Sequence, residues 1–285
     1  MSFKNTAGKN TAGKNNASHS SAISGLSFDI RLLRFCFCVS QPLHFPAGGV
    51  ANRLRGGIGK AFIQRSAVDY SRWFAPTLRE GPSGLHDPPR PFVLRVAHLE
   101  GAHLESGETY EIRVNLFDRS ESACIAMRAA VLEDAWGLLV DVEDDRLRLS
   151  LAPADKRIHR VRVYFVTATE LKGADGPEFG VLFSRIRDRV SILRALYGEG
   201  PLEIDFRGMG RRASEIRMTR CDLGRVEAER VSRHTGQRHG LGGFVGVAEY
   251  EGDLAEFAPY LEVARWTGAG RQTVWGKGEI AWEEI

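Results

Sequence analysis

Residues 242–280 read GGFVGVAEYEGDLAEFAPYLEVARWTGAGRQTVWGKGEI, and this stretch decides how the chain is interpreted. GGFVGVAEY (242–250) predicts a strand, because β-branched and aromatic residues fit a pleated surface. A helix is expected over 254–266, and after a glycine-rich loop a strand is expected in TVWGKGEIAW (273–282). The tail of the chain is therefore predicted to run strand, helix, glycine loop, strand.

The sequence just upstream completes a repeated pattern. RIHRVRVYFVTA (157–168) alternates like a strand, and ASEIRMTRCDLGRV (213–226) predicts another. Between them, GVLFSRIRDRVSILRALYG (180–198) places apolar residues on a helical stripe and four arginines outside it. The apolar stripe is Leu182, Ile186, Val190 and Leu193, and the arginines are Arg185, Arg187, Arg189 and Arg194. The second half therefore predicts the order β-α-β-β-α-β.

The first half gives the same order. LSFDIRLLRFCFCV (26–39) alternates like a strand, and in 47–65 the residues Val50, Leu54, Ile58 and Phe62 form the stripe of an amphipathic helix. Two strands, a helix and a strand with a hairpin partner are expected next, in that order: PFVLRVAHL, ETYEIRVNLF, SACIAMRAAVLEDA, GLLVDV and RLRLSLA.

Two β-α-β-β-α-β units predict an α+β fold of two tandem ferredoxin-like (RRM-like, βαββαβ) domains. We expect a disordered N-terminal arm at 1–25, because it is polar and repeats KNTAG, and domains at 26–152 and 157–285. The arm has neither the apolar segment of a secretory signal nor the arginines of a transit peptide, so export is not expected.

The amino-acid composition excludes some classes of protein for this chain. With 43% hydrophobic residues and no apolar run of about 20, the chain is expected to be cytoplasmic and not membrane-bound. The four cysteines, Cys36, Cys38, Cys124 and Cys221, lack metal-ligand spacing and are expected to be buried core thiols. No metal site and no cofactor are predicted.

Basic residues concentrate in one region although the net charge is only +3. The stretch 207–238 holds nine arginines and four acidic residues, together with His234. An acidic run over 249–262 follows. Charge alone favours a solvated face, whereas a nearby phosphate-binding signal would favour an anion-binding surface.

The stretch 242–280 closely resembles the carboxy-terminal signature of the CRISPR-associated precursor-RNA processing endoribonucleases of the RAMP superfamily. The family's loop has the form G-x-G-[KR]-x-T-x-x-G-x-G, which GAGRQTVWGKG (268–278) matches. RVSRHTGQRHGLGG (230–243) resembles the family's arginine-rich lead-in, and LSFDIRLLRF with ANRLRGGIGKAF resembles its first strand and helix.

The resemblance implies a function. The family binds CRISPR repeat RNA and cleaves the precursor into guide RNAs without metal, the ribose 2′-hydroxyl attacking the adjacent phosphate to leave 2′,3′-cyclic phosphate and 5′-hydroxyl ends. Further subunits of a CRISPR effector complex and a second copy of the chain are additional candidate partners. Histidine suits the proton transfers of this reaction, and arginine or lysine suits charge stabilisation at phosphorus.

Candidate site residues follow from that comparison. His44, in QPLHFPAGG, lies where the family carries its catalytic histidine, and the alternatives are His239 and His234 in the lead-in. Within the first helix, where many relatives have histidine, this chain has Arg53 and Arg55. The residues predicted to bind RNA are Arg53, Arg55, Lys60, Arg230, Arg233, Arg238, Gly268, Gly270, Arg271, Gly276, Lys277 and Gly278.

Other interpretations stay open at this point. The loop glycines would also fit a tight helix-to-strand turn, and His44 would also fit a loop histidine bonded to backbone. His19, His86, His98, His103 and His159 are expected to be structural or exposed. The whole chain could be a non-cleaving RAMP subunit that holds RNA, whereas the aromatics of YFVTA match a recognition-motif module poorly.

Overall fold

The computed structural model describes residues 26–76, 88–133, 137–226, 229–231, 238–240 and 242–285. The N-terminal arm with His19, the loop with His86, and the pair Arg233 and His234 lie outside the described residues. For Arg230, Arg238 and His239 the backbone is described and the side chains are not. The fold within the described ranges is α+β, as predicted.

The first domain is a four-stranded antiparallel sheet with order β3-β5-β1-β6. This order is that of a ferredoxin-like sheet, in which the first strand pairs with the third and the fourth. The elements of this half are β1 (Ser27–Cys38), β2 (Leu43–His44), α1 (Val50–Arg65), α2 (Ala67–Phe74), β3 (Phe92–Arg95), β4 (His103–Leu104), β5 (Thr109–Leu116), α3 (Glu121–Glu133) and β6 (Leu138–Ser150).

Alternation in β1 and the stripe of α1 build the core of this domain. Phe35 and Phe37 of β1 point inward and are fully buried. All four stripe residues of α1 are at most 2% exposed and belong to the same core cluster. The predicted strand and helix are confirmed, because each follows from a period that matches its secondary structure.

The second domain repeats the topology with the sheet order β12-β7-β11-β8. Its elements are β7 (Arg160–Thr169), α4 (Phe179–Tyr197), α5 (Phe206–Ser214), β8 (Arg217–Val226), β9 (Glu229–Val231), β10 (Arg238–Gly240), β11 (Gly243–Glu251), α6 (Ala258–Thr267) and β12 (Ile280–Glu284). The two ferredoxin-like topologies predicted from the sequence are therefore present. The exact domain boundaries, 26–152 and 157–285, stay a prediction.

A short antiparallel ladder lies between β8 and β11. β9 pairs with β10, so that Arg238 is opposite Val231 and His239 is opposite Arg230. Because β8 and β11 are themselves antiparallel neighbours, β9 and β10 continue their hairpin beyond the sheet. Arg230 and Arg238 of the basic lead-in predicted from the sequence thus lie on the paired strands β9 and β10.

Two predicted strand assignments are wrong. RLRLSLA is not the hairpin partner of GLLVDV, because Leu138–Ser150 is one strand that pairs with β1 along its whole length. The long β1 supplies a continuous partner, which outweighs the acidic, turn-like residues in the middle of β6. In TVWGKGEIAW, Thr273–Trp275 is a 3-10 turn, and the strand begins only at Ile280.

Two helices, α2 and α5, were not predicted. They are only 8 and 9 residues long, which is too short to show a clear helical periodicity in the sequence.

The positions of two arginines of α4 were also predicted wrongly. Arg187 and Arg194 are buried although they were expected outside the helix stripe. Arg187 lies over the Phe206 ring and donates to the Phe206 carbonyl, because α5 covers that side of α4.

The cysteine prediction is confirmed only for Cys124, which is buried in the core of the first domain. Cys36 and Cys38 are half-buried, because they occupy the face of β1 opposite to the core phenylalanines. Cys221 on the edge strand β8 is exposed. Strand alternation placed the first pair on one face, as expected, but it is not the core face.

The two domains share a continuous interface. Phe28, Ile30, Val93 and Phe117 of the first domain belong to the core cluster of the second. The last carbonyls of α6 accept hydrogen bonds from three side chains, two of them from the first domain: Arg95 to Arg265 (2.8 Å), Asn115 to Trp266 (2.8 Å) and Arg189 to Thr267 (3.1 Å). Cations and donors at a helix C-terminus satisfy its free carbonyls, so these bonds fix α6 against the first sheet.

In the ranges the structure describes, helices long and apolar enough to cross a membrane are absent.

Candidate functional site

The glycine loop after α6 has a backbone that requires glycine. Gly276 and Gly278 have φ angles of 71° and 67°, in the left-handed region that residues with a Cβ adopt only at a cost. A Cβ at Gly278 would lie 2.0 Å from the Ala269 carbonyl oxygen, and one at Gly276 would lie 2.6 Å from the Cβ of Ala51. The loop is thus both tightly turned and tightly packed.

Most of the loop amides are already used inside the protein. The amide of Gly268 donates to Ala264, that of Gly276 to Thr273, and that of Gly278 to Ala168. These three amides are therefore not available to bind phosphate oxygens, because each closes a turn or joins the loop to β7. The other interpretation of the glycines, a tight helix-to-strand turn packed under its neighbour, describes this geometry.

The loop docks against the first helix of the other domain. The Arg55 guanidinium lies over the Trp275 ring, 4.6 Å from its centroid, and 5.3 Å from the centroid of Phe74. Val274 packs against the core of the first domain. Arg55, predicted to bind RNA, is thus half-buried between an aromatic ring of α2 and one of the glycine loop.

The two cations of the loop differ in their surroundings. Arg271 is exposed and forms an ion pair with Glu170 at 2.8 Å. Lys277 is half-buried and lines a groove between the domains. On α1, Arg53 and Lys60 are exposed, so these two side chains reach solvent from the helix that the loop contacts.

The groove beside Lys277 has a volume of about 180 Å³. It is lined by the start of α1, including Asn52, and by Trp275, Gly276 and Lys277 of the glycine loop. Its floor is formed by strand ends of the second sheet, with Val166 and Val226 among the exposed apolar side chains. The groove thus combines an apolar floor, an amide side chain and a cation at the junction of the domains.

Glu100 also lines this groove. Its carboxylate accepts hydrogen bonds from the amide of Gly49 (3.1 Å), the residue before α1, and from that of Val50 (3.3 Å), its first residue. A carboxylate at this position satisfies two amides that a helix leaves free and is favoured by the helix dipole. The sequence analysis did not identify Glu100, because a cap supplied by a distant loop has no local signal.

His44 lies on the chain segment that leads into α1 and is exposed. Its imidazole stacks on that of His103, with ring centroids 4.0 Å apart and an interplanar angle of 21°. The two residues face each other in the ladder of β2 and β4. His103 is exposed, as expected, and the structure in addition stacks it on the leading catalytic candidate.

The other described histidines lie in different environments. His98 has a ring nitrogen 3.2 Å from the Glu111 carbonyl oxygen. Desolvation lowers the pKa of His98, and the charge of Arg113 lowers it further. His159 is exposed at the start of β7. These positions agree with the structural or exposed roles predicted for them.

The outer face of the second sheet does not resemble a base-stacking surface. Phe165 is buried and makes an edge contact with Phe244, while the Tyr164 hydroxyl donates to Glu283 at 2.5 Å. Buried Glu249 is surrounded by three arginines, Arg160 (3.0 Å), Arg162 (2.8 Å) and Arg220 (3.5 Å). Ion pairs occupy the positions where a recognition-motif module presents aromatic rings, so this interpretation is not supported.

Comparison with known proteins finds similarity to Cas6 proteins, in sequence over part of the chain and in fold over most of it. The family model of the CRISPR-associated endoribonuclease Cas6 matches residues 163–280. Cas6 of Thermus thermophilus (TTHB231) has a similar fold, with a TM-score of 0.57 at 13% identity over 91% of this chain and 100% of that chain. A product complex of Cas6 (TTHA0078) gives 0.50 at 17% identity over 90% and 100%.

A longer chain in a partial Cas6-RT-Cas1–Cas2 complex gives a TM-score of 0.59 at 12% identity, over 92% of this chain and 47% of that one. No curated protein matches the sequence. The resemblance found in the tail motif is confirmed: the second domain carries the Cas6 sequence pattern, and the chain as a whole is Cas6-like in fold.

Proposed function

We propose that this protein is an endoribonuclease that binds CRISPR repeat RNA and cleaves the precursor transcript into guide RNAs. The observation that carries the proposal is the contact between the Cas6-type glycine loop and α1, the helix that follows the exposed His44. The loop brings Lys277 to the interdomain groove, and His44 lies on the segment that leads into α1. Proton-transfer groups and cations are the two requirements for cleavage of a ribose phosphate.

In the proposed reaction, the ribose 2′-hydroxyl loses its proton to a general base, and its oxygen attacks the adjacent phosphorus. The bond from phosphorus to the 5′-oxygen breaks, and a general acid donates a proton to that oxygen. The products carry a 2′,3′-cyclic phosphate and a 5′-hydroxyl. His44 serves as one of the two proton-transfer groups, because its exposed imidazole can reach a substrate.

No metal takes part in the proposed chemistry, and no cofactor is needed. The nucleophile is internal to the substrate, and imidazole can move both protons near neutral pH. Cations of the protein then stabilise the charge that develops on the phosphate oxygens, the role that a divalent ion plays in other nucleases.

RNA binding is assigned to the basic lead-in and to cations of the glycine loop and α1. The lead-in contributes Arg230, Arg233 and Arg238, and the loop and α1 contribute Arg271, Lys277, Arg53 and Lys60. An A-form stem is recognised mainly through its shape and phosphates, which suits a segment rich in arginine. The glycines of the loop act in this proposal by shaping the surface that presents Arg271 and Lys277.

The second candidate is a RAMP subunit that holds RNA without cutting it. The observation that favours it is the pair Arg53 and Arg55 on α1, where many relatives have histidine. In both cases we expect repeat RNA as a partner, further CRISPR subunits or a second copy of the chain as additional ones, and a cytoplasmic location. The longer Cas6-RT-Cas1–Cas2 relative motivates the search for such subunits.

A cleavage assay on the repeat RNA from the same genome separates the two candidates. We expect strand scission in EDTA, with 2′,3′-cyclic phosphate and 5′-hydroxyl ends identified by mass spectrometry. A matched RNA with a single 2′-deoxyribose at the cut site should bind equally and remain intact. Tight binding of the all-ribose RNA without scission would establish the non-cleaving subunit, and a strict magnesium requirement would contradict the proposed chemistry.

A further inference from the structure

His44 and His103 are held side by side by a short ladder of backbone hydrogen bonds. β2 pairs with β4, placing Leu43 opposite Leu104 and His44 opposite His103. The amide of Phe45 donates to the Ala102 carbonyl oxygen at 2.9 Å, which closes the ladder next to the histidines. Phe45 is fully buried, so the ladder is anchored in the core while both imidazoles face solvent.

Neighbouring turns fix the two segments further. The amide of Val39 donates to Glu108 and the amide of Gly107 donates to Val39, both with the carbonyl oxygen as acceptor. Glu100, three residues before His103, binds the first amides of α1, which begins shortly after His44. The segment carrying each histidine is therefore bonded to the segment carrying the other on both sides of the pair.

The surroundings of His44 and His103 differ from those of a histidine whose ring is held by a backbone hydrogen bond. His98, in the same domain, is also exposed but has a ring nitrogen 3.2 Å from the Glu111 carbonyl oxygen. For His44 and His103 the contact that defines the geometry is the ring stack itself, and both rings remain exposed. Two imidazoles fixed in parallel on a surface present two ring edges to a common ligand.

We propose that His103 is the second proton-transfer group of the cleavage reaction and acts together with His44. The inference rests on the proposed endoribonuclease function. One imidazole removes the proton from the 2′-hydroxyl as its oxygen bonds to phosphorus. The other, as imidazolium, gives its proton to the 5′-oxygen as the phosphorus–oxygen bond breaks. The net proton transfer from one histidine to the other is reversed through solvent, to which both rings are open.

The stacked geometry suits a reaction in which one histidine is the general base and the other is the general acid. The attacking and leaving oxygens are bonded to the same phosphorus, so the groups that serve them must also be close together. Two rings with centroids 4.0 Å apart and nearly parallel planes meet that condition without a change of fold. A proton-transfer group acts within hydrogen-bond distance of its oxygen, roughly 3 Å, which fixed neighbouring rings can satisfy at once.

The test uses the full chain, single-turnover cleavage of repeat RNA, and a second RNA in which sulfur replaces the 5′-bridging oxygen at the cut site. A thiolate leaves without a proton, so this substrate needs no general acid. We expect His44→Ala and His103→Ala each to lower cleavage of normal RNA by about 10²- to 10⁴-fold with RNA affinity retained. One of the two variants, and not the other, should regain its rate on the sulfur substrate.

Controls separate catalysis from folding. His103→Phe keeps an aromatic ring that can stack on His44 but cannot transfer a proton, so it should be as impaired as His103→Ala. His159→Ala changes an exposed histidine of the other domain and should cleave at the wild-type rate. A wild-type rate in His103→Phe, or rescue of neither or both alanine variants by sulfur, would overturn the role of His103.

The inference and the proposed function fail in distinguishable ways. If the wild-type chain binds repeat RNA and never cleaves it, the endoribonuclease function is rejected, and the role of His103 with it. If the wild type cleaves and His44→Ala is impaired while His103→Ala cleaves normally, only the role of His103 is rejected.

Discussion

The Arg55 guanidinium and the Trp275 indole stack 4.6 Å apart, and this contact joins the first helix to the glycine loop of the second domain. Gly276, next in the chain, packs so closely on Ala51 of the same helix that a Cβ would collide with it. The loop that carries the family signature is therefore shaped as much by the neighbouring domain as by its own glycines. The groove that contains Lys277 exists only when the domains are docked in this way.

Replacing Arg55 should weaken this docking. A cation over an indole ring contributes about 0.5–2 kcal/mol, so Arg55→Ala should lower the free energy of unfolding by that order. Arg55→Lys keeps the charge but loses the planar stack, and we expect it to recover only part of the loss. Denaturant unfolding followed by tryptophan fluorescence measures both variants. Equal stability of Arg55→Ala and the wild type would show that the stack does not hold the loop.

Gly278→Ala should disturb the loop strongly. The residue has a positive φ and its Cβ would lie 2.0 Å from the Ala269 carbonyl oxygen, so strain of roughly 1–3 kcal/mol or a shift of the loop is expected. Gly224→Ala is the matched control, since a Cβ there projects into open space. Thermal unfolding should separate the two variants. A Gly278→Ala protein as stable as the Gly224→Ala protein would contradict the packing described for the loop.

RNA affinity should depend on phosphate contacts of the basic lead-in and the glycine loop. We expect Arg233→Ala, Arg238→Ala, Arg271→Ala and Lys277→Ala each to lower the slope of log affinity against log salt by roughly 0.7–0.9. The weakening should be similar for different RNA sequences, because phosphates carry no sequence information. Filter binding across a salt series provides the measurement.

Arg211→Ala is a suitable control for that series. Arg211 is exposed on α5 and carries the same charge, but it is not among the residues predicted to bind RNA, and the described residues offer it no ion pair. It should leave the salt slope unchanged. If Arg233→Ala and Arg271→Ala also leave the slope unchanged, the basic stretch is a solvated face, as its charge pattern alone would suggest.

Local periodicity predicted the elements of the fold well, as β1 and α1 illustrate. Alternation over residues 33–38 of β1 and the four-residue stripe of α1 each select one secondary structure and one buried face. The same reasoning failed for β6, because pairing with β1 along its whole length, and not the local sequence, makes it one strand. It also failed for Arg187 of α4, which is buried because α5 covers it.

The site was harder to predict, because its contacts join segments that are distant in sequence. His44 was selected from its position before the first helix, but nothing near it indicated His103, since strands of two residues carry no period. Glu100 binds the start of α1 from another loop, and Arg55 meets Trp275 across the domain interface. A pattern within one segment identifies residue types suited to the chemistry, whereas their juxtaposition depends on tertiary packing.

Acid should destabilise the protein through the cluster around buried Arg31. Its guanidinium donates to Asp144, and this hydrogen bond holds the pKa of that carboxyl below 3.8. The unfolded state therefore takes up the proton at higher pH than the folded state does. The stability contributed by Asp144 is complete above about pH 3.8 and is lost as the pH falls through the folded-state pKa.

Asp144→Asn removes this proton uptake, whereas exposed Asp145→Asn leaves the contact with Arg31 in place. Urea unfolding at a series of acidic pH values should show a shallower decline of the unfolding free energy for Asp144→Asn than for the wild type and Asp145→Asn. Parallel declines in all three proteins would mean that the contact between Arg31 and Asp144 does not resist protonation.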